Sequence, residues 1–560
     1  MTDLQRSVGA SRGRNAREGT AEVNRADDLD PPVELDRAAG VAAAPTVREG
    51  SAGAGNPARP ETRRHLRGSA LLLAGRVGAL GANLITQVLI ARYLSKSDFG
   101  AFAYALSLVL LAESVVTLGL DRAIPRFLPL YQERREYDRF AGTLVFVVGT
   151  LVGFSLVVIL LVYGLAGVLT GTLINNAQAV PLLLILIFLA PLDTLDTVFT
   201  GVFSVVASAR AIFVRKYVVG PALRFLVVAL LVLGQLQAPF LAAGYVAAGA
   251  IGVALYVVML PTMLRQAGLA QHLSLRRMSI SLPEILSYTV PLLSTDLVLA
   301  FMTAFDALVL GKLHGAEAVA AFSVVDPAAR TNQLVILSFS VLFVPVATRY
   351  FARDDHEAMN DLYWQTAAWM AVLTFPIFAV TFAVAGPLTV TLYEKRYESS
   401  AIILSLLALG RYIDASFGAN GYALRVYGRM RPLVAVNVFA AGFHMAASLL
   451  LIPPFGALGA AMSVCVTLVV YNVAKQVMLE RYTGIRMFDT RYVAVYASIV
   501  LVALALLAVT TVLRPSLIVG VGLAAVASLA VLLPSRARLR IRDTFPELLR
   551  LPGARLLFGG

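Results

Sequence analysis

The stretch LIARYLSKSDFGAFAYALSLV, Leu89–Val109, joins two apolar runs and places Arg92, Lys96 and Asp98 at the join. Each flanking run is long enough to cross a bilayer as a helix, so the join reads as the tip of a transmembrane hairpin. A similar phrase returns as LVLGKLHGAEAVAAFSVVD, Leu308–Asp326, at an offset of about 220 residues. Ala101-Phe102 is answered by Ala321-Phe322, and Arg92 by Lys312. A second echo sets DTLDTVF (193–199) against RYIDASF (411–417), with Asp196 on Asp414 and Phe199 on Phe417. Self-similarity at a fixed long offset is the mark of duplication.

Composition extends this reading to the whole chain. Across 560 residues, 58% are hydrophobic and 14% charged, with mean hydropathy +0.76. A soluble domain carries about 25% charged residues. About fourteen apolar runs of membrane length follow one another: 68–91, 99–120, 140–165, 179–207, 217–236, 240–263, 284–311, 318–347, 363–387, 401–424, 433–452, 456–478, 492–513 and 515–534. They are called spans 1 to 14 below. The expected fold is an all-α polytopic membrane protein. Spans 1–6 (68–263) and 7–12 (284–482) form two repeated six-helix lobes around a central cavity, and two extra C-terminal helices (492–534) stand outside the repeat. Six is an even number, so both lobes have the same orientation and are related by an axis along the membrane normal. The segment 264–283 is a cytoplasmic linker between them.

Net charge +13 and pI ≈ 9.9 would suit a nucleic-acid ligand, but the placement of the charges does not. With the N-terminus inside, the even-numbered loops hold about 20 Lys and Arg, against 6 in the odd-numbered loops (Arg92, Lys96, Lys312, Lys395, Arg396 and Arg514). The excess is topological and suits anionic lipid. The expected location is the cytoplasmic (inner) membrane with both termini cytoplasmic. Residues 1–67 lack apolar periodicity and read as a disordered tail, with Arg59, Arg63, Arg64 and Arg67 crowding the approach to span 1. Residues 535–560 are a basic cytoplasmic tail. The single cysteine, Cys465, lies within an apolar run and reads as a packing residue.

The hairpin residues Ala91-Arg92-Tyr93-Leu94, then Phe99-Gly100, Leu118-Gly119-Leu120 and Arg126-Phe127, resemble the amino-terminal signature of prokaryotic polysaccharide (O-antigen type) flippases. Gly456-Ala457-Leu458-Gly459-Ala460-Ala461 is similar to that family's later Gly/Ala motif opening span 12, while Ala320 stands where the family commonly has glycine. The family belongs to the multidrug/oligosaccharidyl-lipid/polysaccharide exporter superfamily. The resemblance implies a transporter, not an enzyme, that flips a polyprenyl-(pyro)phosphate-linked oligosaccharide to the outer leaflet by alternating access. It also implies glycosyltransferase and glycan polymerase partners. Two other transport readings are a drug or cation antiporter and a lipid II flippase. A membrane glycan polymerase or ligase should carry a large extracytoplasmic loop, and the odd-numbered loops are short.

An ionisable residue inside a span is costly and faces a cavity or a partner. Span 1 carries Arg76, Asn83 and Gln87 as one stripe; span 2 carries Glu113, Thr117 and Asp121; span 4 carries Asp193 and Asp196. Span 7 carries Asp296, Thr303 and Asp306, span 8 Asp326 and Arg330, and span 10 Arg411 and Asp414. Arg76, Arg330 and Arg411 are the phosphate candidates, because a guanidinium matches phosphate oxygens bidentately. Glu113, Asp193, Asp196, Asp296, Asp306, Asp326 and Asp414 are candidates for coupling to H⁺ or Na⁺, or for gating. Asp326 and Arg330 at i, i+4 could instead neutralise each other, and Asp296 could pair with Arg76 between lobes. No phosphate-binding loop and no metal-ligand spacing occurs, and the five histidines are widely separated, so no cofactor is expected.

Overall fold

The structure, a computed structural model, describes residues 60–168, 178–206, 212–271 and 278–539. The 1–59 part of the expected N-terminal tail and residues 540–560 of the basic tail lie outside them. So do 272–277 of the linker and the side chain of Asp296. All regular structure among the described residues is helical.

The opening hairpin forms as the sequence requires. Span 1 is the helix Pro60–Tyr93, and span 2, Lys96–Thr117, begins after two intervening residues. Ser95 caps span 2: its Oγ accepts the Asp98 N–H at 3.0 Å and donates to the Asp98 carboxylate at 2.7 Å. This reciprocal arrangement satisfies an N–H that an uncapped helix start would leave unpaired. At the matching place in the second lobe no cap is used. The helix Leu282–Ser323 is instead interrupted by Gly315 at φ 78°, ψ −175°, a conformation that a residue with a Cβ resists.

Twelve helices among the described residues are long and apolar enough to cross a membrane, and these correspond to spans 1–6 and 9–14. The expected count of about fourteen is therefore not reached, and the shortfall falls on spans 7 and 8. There, Ala300–Ser323 and Asp326–Ser340 qualify as a pair bent by 43°. The cause is local: Pro327 and the polar run Asp326–Gln333 break the helix into Asp326–Arg330, a 3₁₀ turn and Leu334–Ala352. Two other spans are broken but continuous enough to cross, span 4 as Ala179–Leu186 and Leu189–Val206, span 10 as Ser400–Ser416 and Ala419–Val426.

The lobes meet where span 2 packs against spans 7 and 8. Gly100 makes the approach possible, since a Cβ on it would lie 1.9 Å from the Ala316 carbonyl oxygen. A buried cluster spans this seam, with Phe99, Phe102 and Tyr104 from span 2 against Leu310, Val319 and Val324. A second core lies wholly in the C-terminal half. It wraps span 9, His356–Ala383, with Trp369 and Phe375 fully buried, and it recruits Ile499 and Val531 of the two extra helices. Those helices, Val493–Leu513 and Leu517–Leu539, are thus packed onto the second lobe.

Candidate functional site

A cavity of about 590 Å³ opens between the lobes. Six of the residues singled out in the sequence line it: Gln87, Asp306, Asp326, Arg330, Arg411 and Asp414. Gln87 comes from span 1 and the rest from spans 7, 8 and 10, so the charged lining belongs to the second lobe. Span 2 contributes the smaller and apolar side, including Ala103, Leu106 and Leu110.

The charges are not free. Arg330 donates from Nε to Asp326 Oδ2 at 2.5 Å, which realises the i, i+4 pair. Arg411 approaches the other oxygen of the same carboxylate at 3.5 Å. One acid therefore serves two guanidinium groups, and the Nε of Arg411 is buried with no hydrogen-bond partner. A buried donor left unpaired costs roughly 1–3 kcal/mol, so this corner of the cavity is short of acceptors. Arg330 keeps 46% of its side chain exposed and Arg411 16%, which leaves both reachable from the cavity.

The neighbouring Asp414 is heavily satisfied. It accepts from Gln333 and from Asn472, each at 3.1 Å, and faces the Lys475 ammonium at 3.7 Å. Lys475 also lies 3.9 Å over the ring of Tyr471, whose hydroxyl donates to Asn437. Lys475 lies near the C-terminal end of span 12, whose helix continues to Thr483, and its side chain is buried. Elsewhere in the same lobe, Asp306 pairs with His444 at 3.2 Å and accepts the Ser448 hydroxyl at 2.7 Å. His444 turns its other ring nitrogen to Thr467 at 3.2 Å. Histidines scattered in sequence hid this pair, although His444 and Ser448 stand at i, i+4.

The first lobe holds its charges differently. Asp196 pairs with Arg215, which also donates to the Gly252 carbonyl at 2.9 Å and stacks 4.6 Å over Tyr256. Asp193 faces Arg224 at 3.6 Å, and Glu113 interacts electrostatically with both. None of Glu113, Asp193 and Asp196 is among the cavity-lining residues. Arg215, read from sequence as a loop charge, sits in a π-helical turn, Phe213–Val219, that rotates it inward where it is buried. Arg224 lies within span 5, and its signal in the sequence is that of a lone cation in an apolar run. The span 1 stripe divides. Gln87 reaches the cavity, while Arg76 and Asn83 are exposed and off its lining, because that half of the helix packs on span 5 through Gly75 against Phe213 and Tyr217. The pairing considered for Asp296 and Arg76 lies outside the described side chains. Among the described residues no group of three or more His, Cys, Asp or Glu is placed to hold a metal.

Comparison with known proteins places this architecture. No curated protein matches in sequence. In structure the chain is similar to a lipid II flippase, MurJ, in an inward closed conformation, at TM-score 0.63 and 15% identity over 85% of this chain and 99% of that one. It is also similar to an inward-facing multidrug resistance MATE family transporter of the MOP superfamily (TM-score 0.57, 14% identity, 73% and 95% covered). A third likeness is to the MATE multidrug transporter DinF-BH in complex with R6G (0.55, 13%, 77% and 98%). The fold is that of a transporter of this superfamily. A MatE family model matches residues 291–450. The model for polysaccharide biosynthesis proteins matches residues 65–351, just over half of the length and across the hairpin with which the sequence was first read, and the chain belongs to that family.

Proposed function

We propose that this protein flips a polyprenyl-(pyro)phosphate-linked oligosaccharide from the cytoplasmic to the outer leaflet for cell-surface polysaccharide synthesis. The observation that carries the reading is the acceptor-poor corner of the cavity. Two guanidinium groups, Arg330 and Arg411, share the single carboxylate of Asp326, and one buried N–H has no partner. A phosphate supplies the missing acceptors and matches the planar donors of arginine. Asp326 then acts as the release device, because it competes for the same donors and keeps a dianion from being held permanently. The lipid tail needs no shelter in a bilayer, so a cavity for the polar head suffices. Asp306 with His444 and Asp414 with Lys475 are the pairs we assign to H⁺ or Na⁺ coupling, since each joins an acid to a base of another span and can exchange its partner as the lobes move. Glycosyltransferases and a glycan polymerase would act before and after the flip.

A drug or cation antiporter is the second reading, favoured by the MatE model over residues 291–450 and by the acids in the cavity. Loss of the protein separates the two. Lipid-linked glycan trapped on the cytoplasmic leaflet, with drug sensitivity unchanged, supports the flippase. Altered resistance to cationic drugs with normal surface glycan overturns it. Orientation is tested in a Cys465→Ala background: Ser399→Cys should react with an impermeant thiol reagent from outside and Asp354→Cys should not.

A further inference from the structure

Neither Arg92 nor Arg396 is among the cavity-lining residues, and each caps a helix of the other lobe. Span 1 of the first lobe ends at Tyr93, and its last carbonyls have no partner within the helix. Arg396, from the loop between spans 9 and 10 of the second lobe, donates to two of them, Ala91 at 2.7 Å and Arg92 at 2.5 Å, and to Leu94 just past the helix end at 3.0 Å. The exchange is returned. The short helix Ala385–Tyr393 ends in the second lobe, and Arg92 donates to its final carbonyls, to Leu392 at 2.8 Å and to Thr391. Both helix ends carry partial negative charge, so each cation is also favoured by the dipole it faces.

The surroundings support closure at this end of the bundle. Lys96 of span 2 lies 4.0 Å from Glu317, just beyond the Gly315 break. Phe99 meets Tyr397 edge-on at 6.4 Å, and Gly100 touches the Ala316 backbone. Two groups stand ready to change partners. Tyr393 and Tyr397 bury hydroxyls that have none here, so parting the lobes would hydrate them and offset some of the loss. The repeat partner of Arg92 offers a built-in contrast: Lys312 is exposed and takes no part in these contacts. Duplication alone therefore does not account for Arg92.

We infer that Arg92 and Arg396 form a reciprocal latch that holds the two lobes shut at the end carrying the 1–2 and 7–8 hairpins, the end assigned outward by charge, and that it must release for the cavity to open there. The latch belongs to the transport cycle and is independent of which cargo is carried. Five charge-assisted hydrogen bonds to backbone acceptors are enough to bias a two-state equilibrium, and losing one arginine removes at least two of them.

The test needs no substrate. In the Cys465→Ala background, a cysteine replacing the cavity residue Ser107 reports access from outside to an impermeant thiol reagent. Arg92→Ala or Arg396→Ala should raise its labelling rate roughly tenfold or more, as expected from the loss of charged hydrogen bonds. Arg92→Lys should fall between, and Lys312→Ala should match the parent. Unchanged labelling in both alanine variants at normal membrane abundance overturns the latch. If those variants do not accumulate, Lys96→Cys with Glu317→Cys and a short bis-maleimide cross-linker tests the same motion with both arginines present. Cross-linking should arrest whichever transport the parent supports, glycan export or drug efflux, and transport that continues through the cross-link overturns the proposal. Failure of glycan export in the parent itself would count against the cargo and leave the latch standing.

Discussion

Asp196 and Asp414 occupy matching positions in the two repeats, and their fates differ. Asp196 is closed off inside the first lobe by Arg215, which a π-helical turn carries inward and which Gly252 leaves room for. Asp414 lines the cavity, held by Gln333, Asn472 and Lys475 from spans 8 and 12. The first lobe pairs its acids with arginines of its own spans and keeps them off the cavity. The second lobe brings acids and bases together at the cavity wall. Duplication thus preserved the position of a charge and not its partner, and the partner decides whether the charge is a strut or part of the transport surface.

The largest expected effect breaks the first lobe. Asp196→Asn leaves Arg215 buried without its counter-ion, a loss of about 3–5 kcal/mol, and membrane abundance should collapse. Asp196→Asn with Arg215→Met should recover much of it, because the stranded charge is gone. Asp414→Asn at the matching site should lower abundance less, since the amide oxygen still accepts from Gln333 or Asn472 and Lys475 keeps its place over the Tyr471 ring. Equal losses in the two lobes, measured by immunoblot of membranes, would erase the contrast.

Next comes the cavity. Arg411→Gln should weaken cargo binding by about 1.5–3 kcal/mol at normal abundance, with lysine rescuing in part. For Arg330 the double variant decides: if Asp326→Asn restores both abundance and export to Arg330→Gln, the pair is a strut and leaves the site. Gly252→Ala is expected to cost roughly 1–3 kcal/mol, because the new methyl would lie 2.1 Å from the Arg215 guanidinium and push it off Asp196. Thermal unfolding in detergent reads that loss. A normal melting temperature would show that Arg215 has another place to go.

The smallest effect lies outside the bilayer. At the base of span 13, Arg491 donates to both oxygens of Asp489 and to Asp361, and these hydrogen bonds hold the Asp489 carboxyl below the usual carboxylate range. A depressed carboxylate stabilises the fold above its unfolded value of about 3.9 and loses that contribution as pH falls through its folded value. Asp489→Asn should therefore lower the melting temperature at neutral pH, modestly because Arg491 is half exposed, and the difference from the parent should close as pH falls through the folded value.

Of the roughly fourteen spans read in the sequence twelve are long, apolar helices in the structure, the extra C-terminal pair among them, because a bilayer demands long apolar runs. The acids and arginines were visible too, since a charge within an apolar run stands out. The sequence by itself thus determined the class of fold and the stock of charges. Tertiary structure decided the pairings. His444 with Asp306, Lys475 with Asp414 and Arg215 with Asp196 join residues 19 to 138 positions apart in the chain, for which no helical period provides a signal. Arg92 shows the reason most plainly. As a sequence feature it marks the polar cap of a hairpin, but its donors are satisfied by carbonyls about 300 residues away, and backbone acceptors are available everywhere in a sequence until packing brings two helix ends together.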